Sequence, residues 1–372
     1  LFNRYKNRRY EIQLMKSISI IGLGLIGGSL AKAVKNYNPS YSINGYDVKE
    51  ISHLALQEKI IDKVLNSEEE ACYSEIIFLC LPTELSFQVF SRISPLLKKN
   101  SIITDVCGVK GIFEDKWKSI NSMGLYIGGH PMAGKEVGGY ENSDPLLFEN
   151  AVYILSDKKL DGENYKLLLE IIKGIGSRIK FLNPYLHDEI VASVSHLPQL
   201  VSIALVNSVS SENSDINFLD FAAGGFRDMT RIASSDYGIW EPVIKNNKKS
   251  ILQALTKFNL SLIEIIDHLI KDDLASLKKL FESARLKRDE IPKNTKGFLN
   301  PLFDLYVYVK DEPGVLSRLT SVLYENSINI KDIELLKIRE GAGGTFRISF
   351  DTQETAEKAK GLIEKSGFTI KQ

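Results

Sequence analysis

Three groups of residues in this 372-residue chain could do chemistry. The first is His130, one of five histidines, set in "IGGHPMAG" (127–134) between two glycines and a proline. Glycines leave no side chain to fill space, and proline excludes a regular helix or central strand. The frame is either a bare turn or a mount that presents the imidazole, whose ordinary pKa of about 6.5 suits proton transfer near neutrality. The second is "GLGLIGG", in which Gly22, Gly24 and Gly27 fit G-x-G-x-x-G. The first glycine allows a tight turn, the second lets a pyrophosphate approach the backbone, and the third lets a helix pack closely on its strand. Leu25 and Ile26 then open that helix, whose N-terminus attracts phosphate. Asp47 ends "SINGYDV" (42–48), where a carboxylate accepts from ribose hydroxyls and repels a 2′-phosphate, favouring NAD over NADP. The third is "GGFRDMTR", which puts Arg227 and Arg231 four apart, on one face if helical. A guanidinium grips a carboxylate with two parallel hydrogen bonds, though an exposed Asp228–Arg231 pair would satisfy the same spacing.

The elements around these residues supply a scaffold. "KSISIIGLGLIGGSLAKAVK" (16–35) reads strand, glycine turn, helix, and the apolar runs 75–82, 101–106 and 124–129 alternate with helical stretches near 83–98 and 109–122. Continuous apolar strands between helices imply a parallel sheet covered on both faces, with ligands at the carboxyl ends of its strands, and "HPMAG" follows one such end. Runs 151–156 and 177–182 extend or close this domain. From Pro184 to about 287 the periodicity is helical, with an apolar surplus that suggests subunit packing. His196, in "SHLPQL", lies on a long helix interrupted at Pro198. His187 is nine residues earlier, about 900° of rotation, so it faces the other way. His187, His53 and His268 read as surface or helix-end residues. A polar linker at 291–301 precedes a βαββαβ pattern over 302–372. The resulting division is an extension (1–14), a Rossmann-like dinucleotide-binding α/β domain (15–183), an all-helical domain (184–290), the linker, and a small α+β module.

Bulk properties narrow the class. Lys+Arg and Asp+Glu both number 47, so no excess charge points to nucleic acid or an anionic membrane. No apolar run approaches the roughly 18–20 residues of a membrane span, and the basic opening segment lacks the apolar region of a secretory signal. Cys72, Cys80 and Cys107 are odd in number and show no C-x-x-C spacing. They imply neither disulfides nor a metal site, and suit buried thiols in a reducing cytoplasm.

Taken in order, "GLGLIGGSLA", "DVCGVK", "HPMAGKEVGG", "SHLPQL" and "GGFRDMTRIASSDYGIWEPV" resemble the TyrA-type prephenate dehydrogenases, here with a C-terminal ACT domain of ferredoxin-like fold. The resemblance implies NAD-dependent oxidative decarboxylation of prephenate to 4-hydroxyphenylpyruvate by a cytoplasmic homodimer. It casts His130 as the partner of the substrate hydroxyl, Arg231 as the substrate-carboxylate arginine with Arg227 near it, and His196 as pocket lining. Trp240 would shield the pocket from water. It also implies an amino-acid effector, L-tyrosine by pathway logic, bound beside the turn at Pro313, Gly314 and Val315 and near Asn329. Two departures stand out: Gly108 replaces a serine common in relatives, and Gln199 a second histidine. Arogenate dehydrogenase shares every motif quoted, and a non-catalytic sensor of NAD and amino acids would share the folds.

Overall fold

The computed structural model describes residues 16–135, 137–157, 161–209, 216–290, 302–339 and 343–371. The N-terminal extension and the 291–301 linker expected from the sequence lie outside them. The chain divides into two compact units, 1–277 and 278–372.

The first unit is built on six strands: β1 (Ser17–Ile21), β2 (Ser42–Tyr46), β3 (Lys63–Val64), β4 (Ile76–Leu79), β5 (Ile102–Asp105) and β6 (Leu125–Tyr126). They pair in parallel in the order β3-β2-β1-β4-β5-β6. β4 and β5 are buried at every position, which is why they read as unbroken apolar runs. The order reverses between β1 and β4, and the glycine turn leaves β1 at that switch point.

The reading of 124–129 as one more strand of this sheet needs correction. β6 is two residues long, and after Ile127 and Gly128 the chain enters a separate sheet of β7 (Gly129–Pro131), β8 (Val152–Ser156) and β9 (Arg178–Leu182). β7 runs antiparallel to β8, and β8 parallel to β9. His130 is therefore a strand residue, facing Ile154 in register. Pro131 is tolerated because β7 is an edge strand, where a missing N–H costs no ladder bond.

Beyond Leu182 the unit is helical. Asn183 caps the first helix by accepting from the N–H groups of Tyr185 and Leu186. That helix is not ended by Pro198. It runs Pro184–Val191, makes one wide π turn over Ala192–His196, and resumes over Leu197–Val209. At 26 residues it is long and apolar enough to cross a membrane by length and composition, contrary to the expectation that no run came close. Its polar side, however, carries His187, Asp188, His196 and Gln199, all buried within the protein. The helix Lys248–Ile270 exposes Leu260, Ile263, Ile266 and Ile270. Their spacing of three and four lines one apolar face that the described residues leave uncovered.

The second unit contains β10 (Phe303–Val309), a helix (Val315–Glu325), β11 (Asp332–Arg339), β12 (Gly343–Phe350), a helix (Gln353–Lys365) and β13 (Thr369–Lys371). The antiparallel order β11-β12-β10-β13 is that of a ferredoxin-like fold. Val307, Leu319, Ile348, Phe350, Ala359 and Ile363 form its core. The second strand of this unit starts at Asp332.

Candidate active site

His130 does not stand alone. Its Nδ1 lies 2.8 Å from His187 Nε2, and His187 Nδ1 lies 2.8 Å from Asp188 Oδ1. Asp188 also accepts the backbone N–H groups of Lys110 and Gly111, each at 2.8 Å. These contacts fix the protons. An ionised carboxylate only accepts, so His187 Nδ1 carries its hydrogen and the neutral ring offers Nε2 as acceptor. His130 Nδ1 must then be the donor, which leaves His130 Nε2 with a bare lone pair. A Cβ built on Gly108 would lie 3.9 Å from that nitrogen and meet nothing closer, so open space adjoins His130 Nε2. Burial first, then His187, Lys110 and His196, hold the His130 pKa well below the ordinary 6.5. The imidazole is neutral across the physiological range and free to take a proton.

The expectation that His187 faces away from the site was wrong, and the π turn is the reason. Leu197 N–H bonds to Ala192 O, five residues back, in a turn that absorbs an extra residue. Nine residues then rotate about 800° rather than 900°, so His187 and His196 differ by about 80° instead of half a turn. The wide turn also frees Pro198 from the clash its ring makes in a regular helix. His187 is fully buried. Asn247, on the following helices, donates to Asp188 O at 2.7 Å and lies 3.4 Å from His196 Nδ1. Trp240 meets the His196 ring edge to face at 5.9 Å. Burial pushes the His196 pKa down to about 4, Asp188 partly opposing it. His53 is exposed, and His268 pairs with Asp273 at a helix end.

The glycine turn leaves β1 in a tight loop. Gly22 takes φ +93°, and a Cβ there would fall 2.7 Å from Cys80 O. A Cβ on Gly27 would collide with Gly22 O, whereas Gly24 faces open space, the arrangement that admits a pyrophosphate to the start of the Leu25–Tyr37 helix. Asp47 Oδ2 accepts from Leu23 N–H at 2.5 Å and Oδ1 from Val48 N–H at 2.6 Å. This ties Asp47 to the glycine turn. Leu25 and Ile26 are the first helical residues.

Arg227 lies in the helix Gly224–Thr230 and Arg231 opens the tight turn that follows it; both are exposed. Gln199 Nε2 donates to Ile232 O at 2.9 Å, tying that turn to the helix that carries His187 and His196. In the second unit a cavity of about 190 Å³ is lined by Val309, Glu312, Val315, Leu316, Leu335 and Phe346, among others. Gly314 adopts φ +80° at the helix start. Val315 lines the cavity; Asn329 is exposed and is not among the lining residues.

Residues 30–181 match the family model of the prephenate dehydrogenase nucleotide-binding domain, and residues 183–283 that of its dimerization domain. The chain is 33% identical to the prephenate dehydrogenase of Bacillus subtilis over 361 residues, 95% of this chain and 96% of the relative. The chain belongs to the prephenate dehydrogenase family. Residues 303–367 match the ACT domain. Among solved structures, the family's Aquifex aeolicus prephenate dehydrogenase in complex with hydroxyphenyl propionate and NAD+ superposes with a TM-score of 0.67 at 29% identity, covering 74% of this chain and 98% of that one. An arogenate dehydrogenase from Synechocystis gives 0.65 at 28%, covering 74% and 99%. Members of this family are oxidoreductases, and the matched nucleotide-binding segment begins at residue 30, just past the glycine turn.

Proposed function

We propose that the chain is an NAD-dependent dehydrogenase that converts prephenate to 4-hydroxyphenylpyruvate with loss of carbon dioxide. The observation that carries this reading is the Asp188–His187–His130 relay, which leaves His130 Nε2 unprotonated beside open space. His130 accepts the substrate hydroxyl proton as hydride leaves the ring carbon that bears it. The bond to the ring carboxylate breaks, its electron pair completes the aromatic ring, and carbon dioxide departs. NAD, when bound, supplies the hydride acceptor. Gly22, Gly24 and Gly27 shape its cradle, Leu25 and Ile26 present the helix N-terminus to the pyrophosphate, and Asp47 takes the ribose hydroxyls. As His130 gains its proton, His187 and Asp188 share the resulting positive charge through hydrogen bonds already in place. Arg231, with Arg227 nearby, holds a substrate carboxylate, and His196 and Trp240 line the pocket.

The apolar stripe at Leu260, Ile263, Ile266 and Ile270 suits a second copy of the chain, giving a homodimer. The cavity beside Val315 suits a small amino acid effector, and L-tyrosine, the downstream product, is the candidate. The test is NADH absorbance with the purified chain, NAD, and prephenate or arogenate in turn. Turnover of prephenate at the higher kcat/KM supports the reading, preference for arogenate transfers the same chemistry to the amino acid substrate, and no turnover of either overturns it.

A further inference from the structure

Behind His130 lies a buried charge pair that the relay does not use. Lys110 is 2% exposed and Asp105 fully buried. The Lys110 ammonium donates to Asp105 Oδ1 and, at 2.7 Å, to the carbonyl of Gly129, the residue before His130. Asp105 also accepts Cys107 N–H and the Tyr126 hydroxyl, each at 2.9 Å. The backbone N–H of the same Lys110 holds Asp188, so one residue contacts Asp188 at one end of the relay and the backbone just before His130 at the other. The space is tight. A Cβ on Gly128 would fall 2.6 Å from Ser156 Oγ and 3.0 Å from Lys110 Cδ, and one on Gly129 would fall 2.6 Å from Asp105 O. Glycines at these two positions let the strand before His130 lie against Ser156, the Lys110 stem and the β5 backbone. Taking two charges out of water is costly, and a well-packed apolar pair is often as stable or more so. Stability therefore does not explain the pair.

We propose that the Lys110–Asp105 pair sets the acid–base poise of His130, the ammonium on the Gly129 carbonyl disfavouring the imidazolium and Asp105 moderating it. This rests on the reading of His130 as the base. The other titratable groups around His130 are His187, Asp188 and His196 on the long helix, Cys107 beyond β5, Tyr126 on β6 and Tyr153 on β8. Burial pushes the Cys107 thiol up to about 12 and both tyrosine hydroxyls well above their ordinary value, so these three stay neutral. Of the cationic groups, Lys110 opposes protonation of His130. Among these groups the negative charges are Asp188, committed to the relay, and Asp105.

The test is kcat/KM against pH, with NAD and prephenate, from about pH 4.5 to 9. Lys110→Met leaves the Asp105 charge alone and raises the acid limb by about one pH unit, a tenfold loss of kcat/KM below the limb. Asp105→Asn leaves the ammonium alone and lowers the limb. Lys110→Met with Asp105→Asn strands no charge and raises the limb by less than Lys110→Met does, so this chain carries the test should a single variant fail to fold. A limb in Lys110→Met or the double variant no higher than the wild type's, or equal shifts in both single variants, overturns the proposal. His130→Asn separates the two readings. Persistence of the wild-type limb there refutes His130 as the base, whereas its loss there beside unmoved limbs in the Lys110 and Asp105 variants refutes only the poise.

Discussion

Replacing Asp188 by asparagine keeps the shape of the relay and removes its charge. The carboxylate accepts three donors at 2.8 Å: the N–H groups of Lys110 and Gly111 and His187 Nδ1. An amide has one oxygen to offer. With that oxygen toward Lys110 and His187, its NH2 meets the Gly111 N–H. Turned over, it meets the Lys110 N–H and forces His187 into the other tautomer, which hands a hydrogen to His130 and places one on the catalytic nitrogen. Either orientation strands a buried backbone donor, at about 1–3 kcal/mol of stability. Either also removes the negative charge that supports an imidazolium at His130. A hydrogen bond to a charged group contributes about 1.5–3 kcal/mol, so kcat should fall about 10- to 150-fold while NAD affinity stays unchanged. Steady-state kinetics at saturating substrates, dinucleotide titration and thermal melting separate the two effects. A variant with lowered Tm but kcat within about threefold of wild type would show Asp188 to be a structural clip between the domains and refute the relay.

Four further outcomes follow from the same geometry. His130 and His196 are held neutral in the folded protein, well below 6.5 and down to about 4, so the unfolded chain binds protons first. Their contribution is complete above about pH 6.5 and is lost on acidification at about 1.4 kcal/mol per pH unit for each; a denaturation midpoint flat from pH 7 to 5 would contradict this. Asp47→Ser should narrow the preference for NAD over NADP, read as the ratio of kcat/KM values, and a wild type that prefers NADP would overturn the assignment. Arg231→Ala should raise the substrate KM about 30-fold or more, the cost of stranding a desolvated carboxylate, with the KM for NAD nearly unchanged; equal effects on both would mean a general loss of fold. A chain ending near Pro301 should keep turnover and lose most inhibition by L-tyrosine, because each unit has its own core; full inhibition of the folded truncation would place the effector in the active site.

Local signals carried the fold and half of the site. The glycine turn, Asp47 and the buried runs of β4 and β5 announce a dinucleotide domain because each is a contiguous pattern with one physical cause. The glycines and proline around His130 likewise marked a mounted imidazole. What escaped depends on pairing across distance. His187 was misplaced because the rotation was counted along an ideal helix. The signal that could have corrected it is Pro198, whose missing N–H invites a wide turn just upstream. Nothing near Asp188 announces that it will take the N–H groups of residues 77 and 78 positions away. The separate sheet of β7, β8 and β9 was hidden because β6 and β7 read as one run, with the break at Gly128 visible only as another glycine.

The relay straddles a seam. His130 stands on a strand of the nucleotide-binding domain, whereas His187 and Asp188 begin the helical domain and clasp residues 110 and 111 across the boundary. The tautomer of His130 is thus an assembled property, like a circuit closed by a latch: only when the two domains seat in register does the imidazole donate to His187 and keep Nε2 bare. Were the helical domain to swing away, His130 would lose the acceptor that fixes its tautomer while the parallel sheet stayed intact.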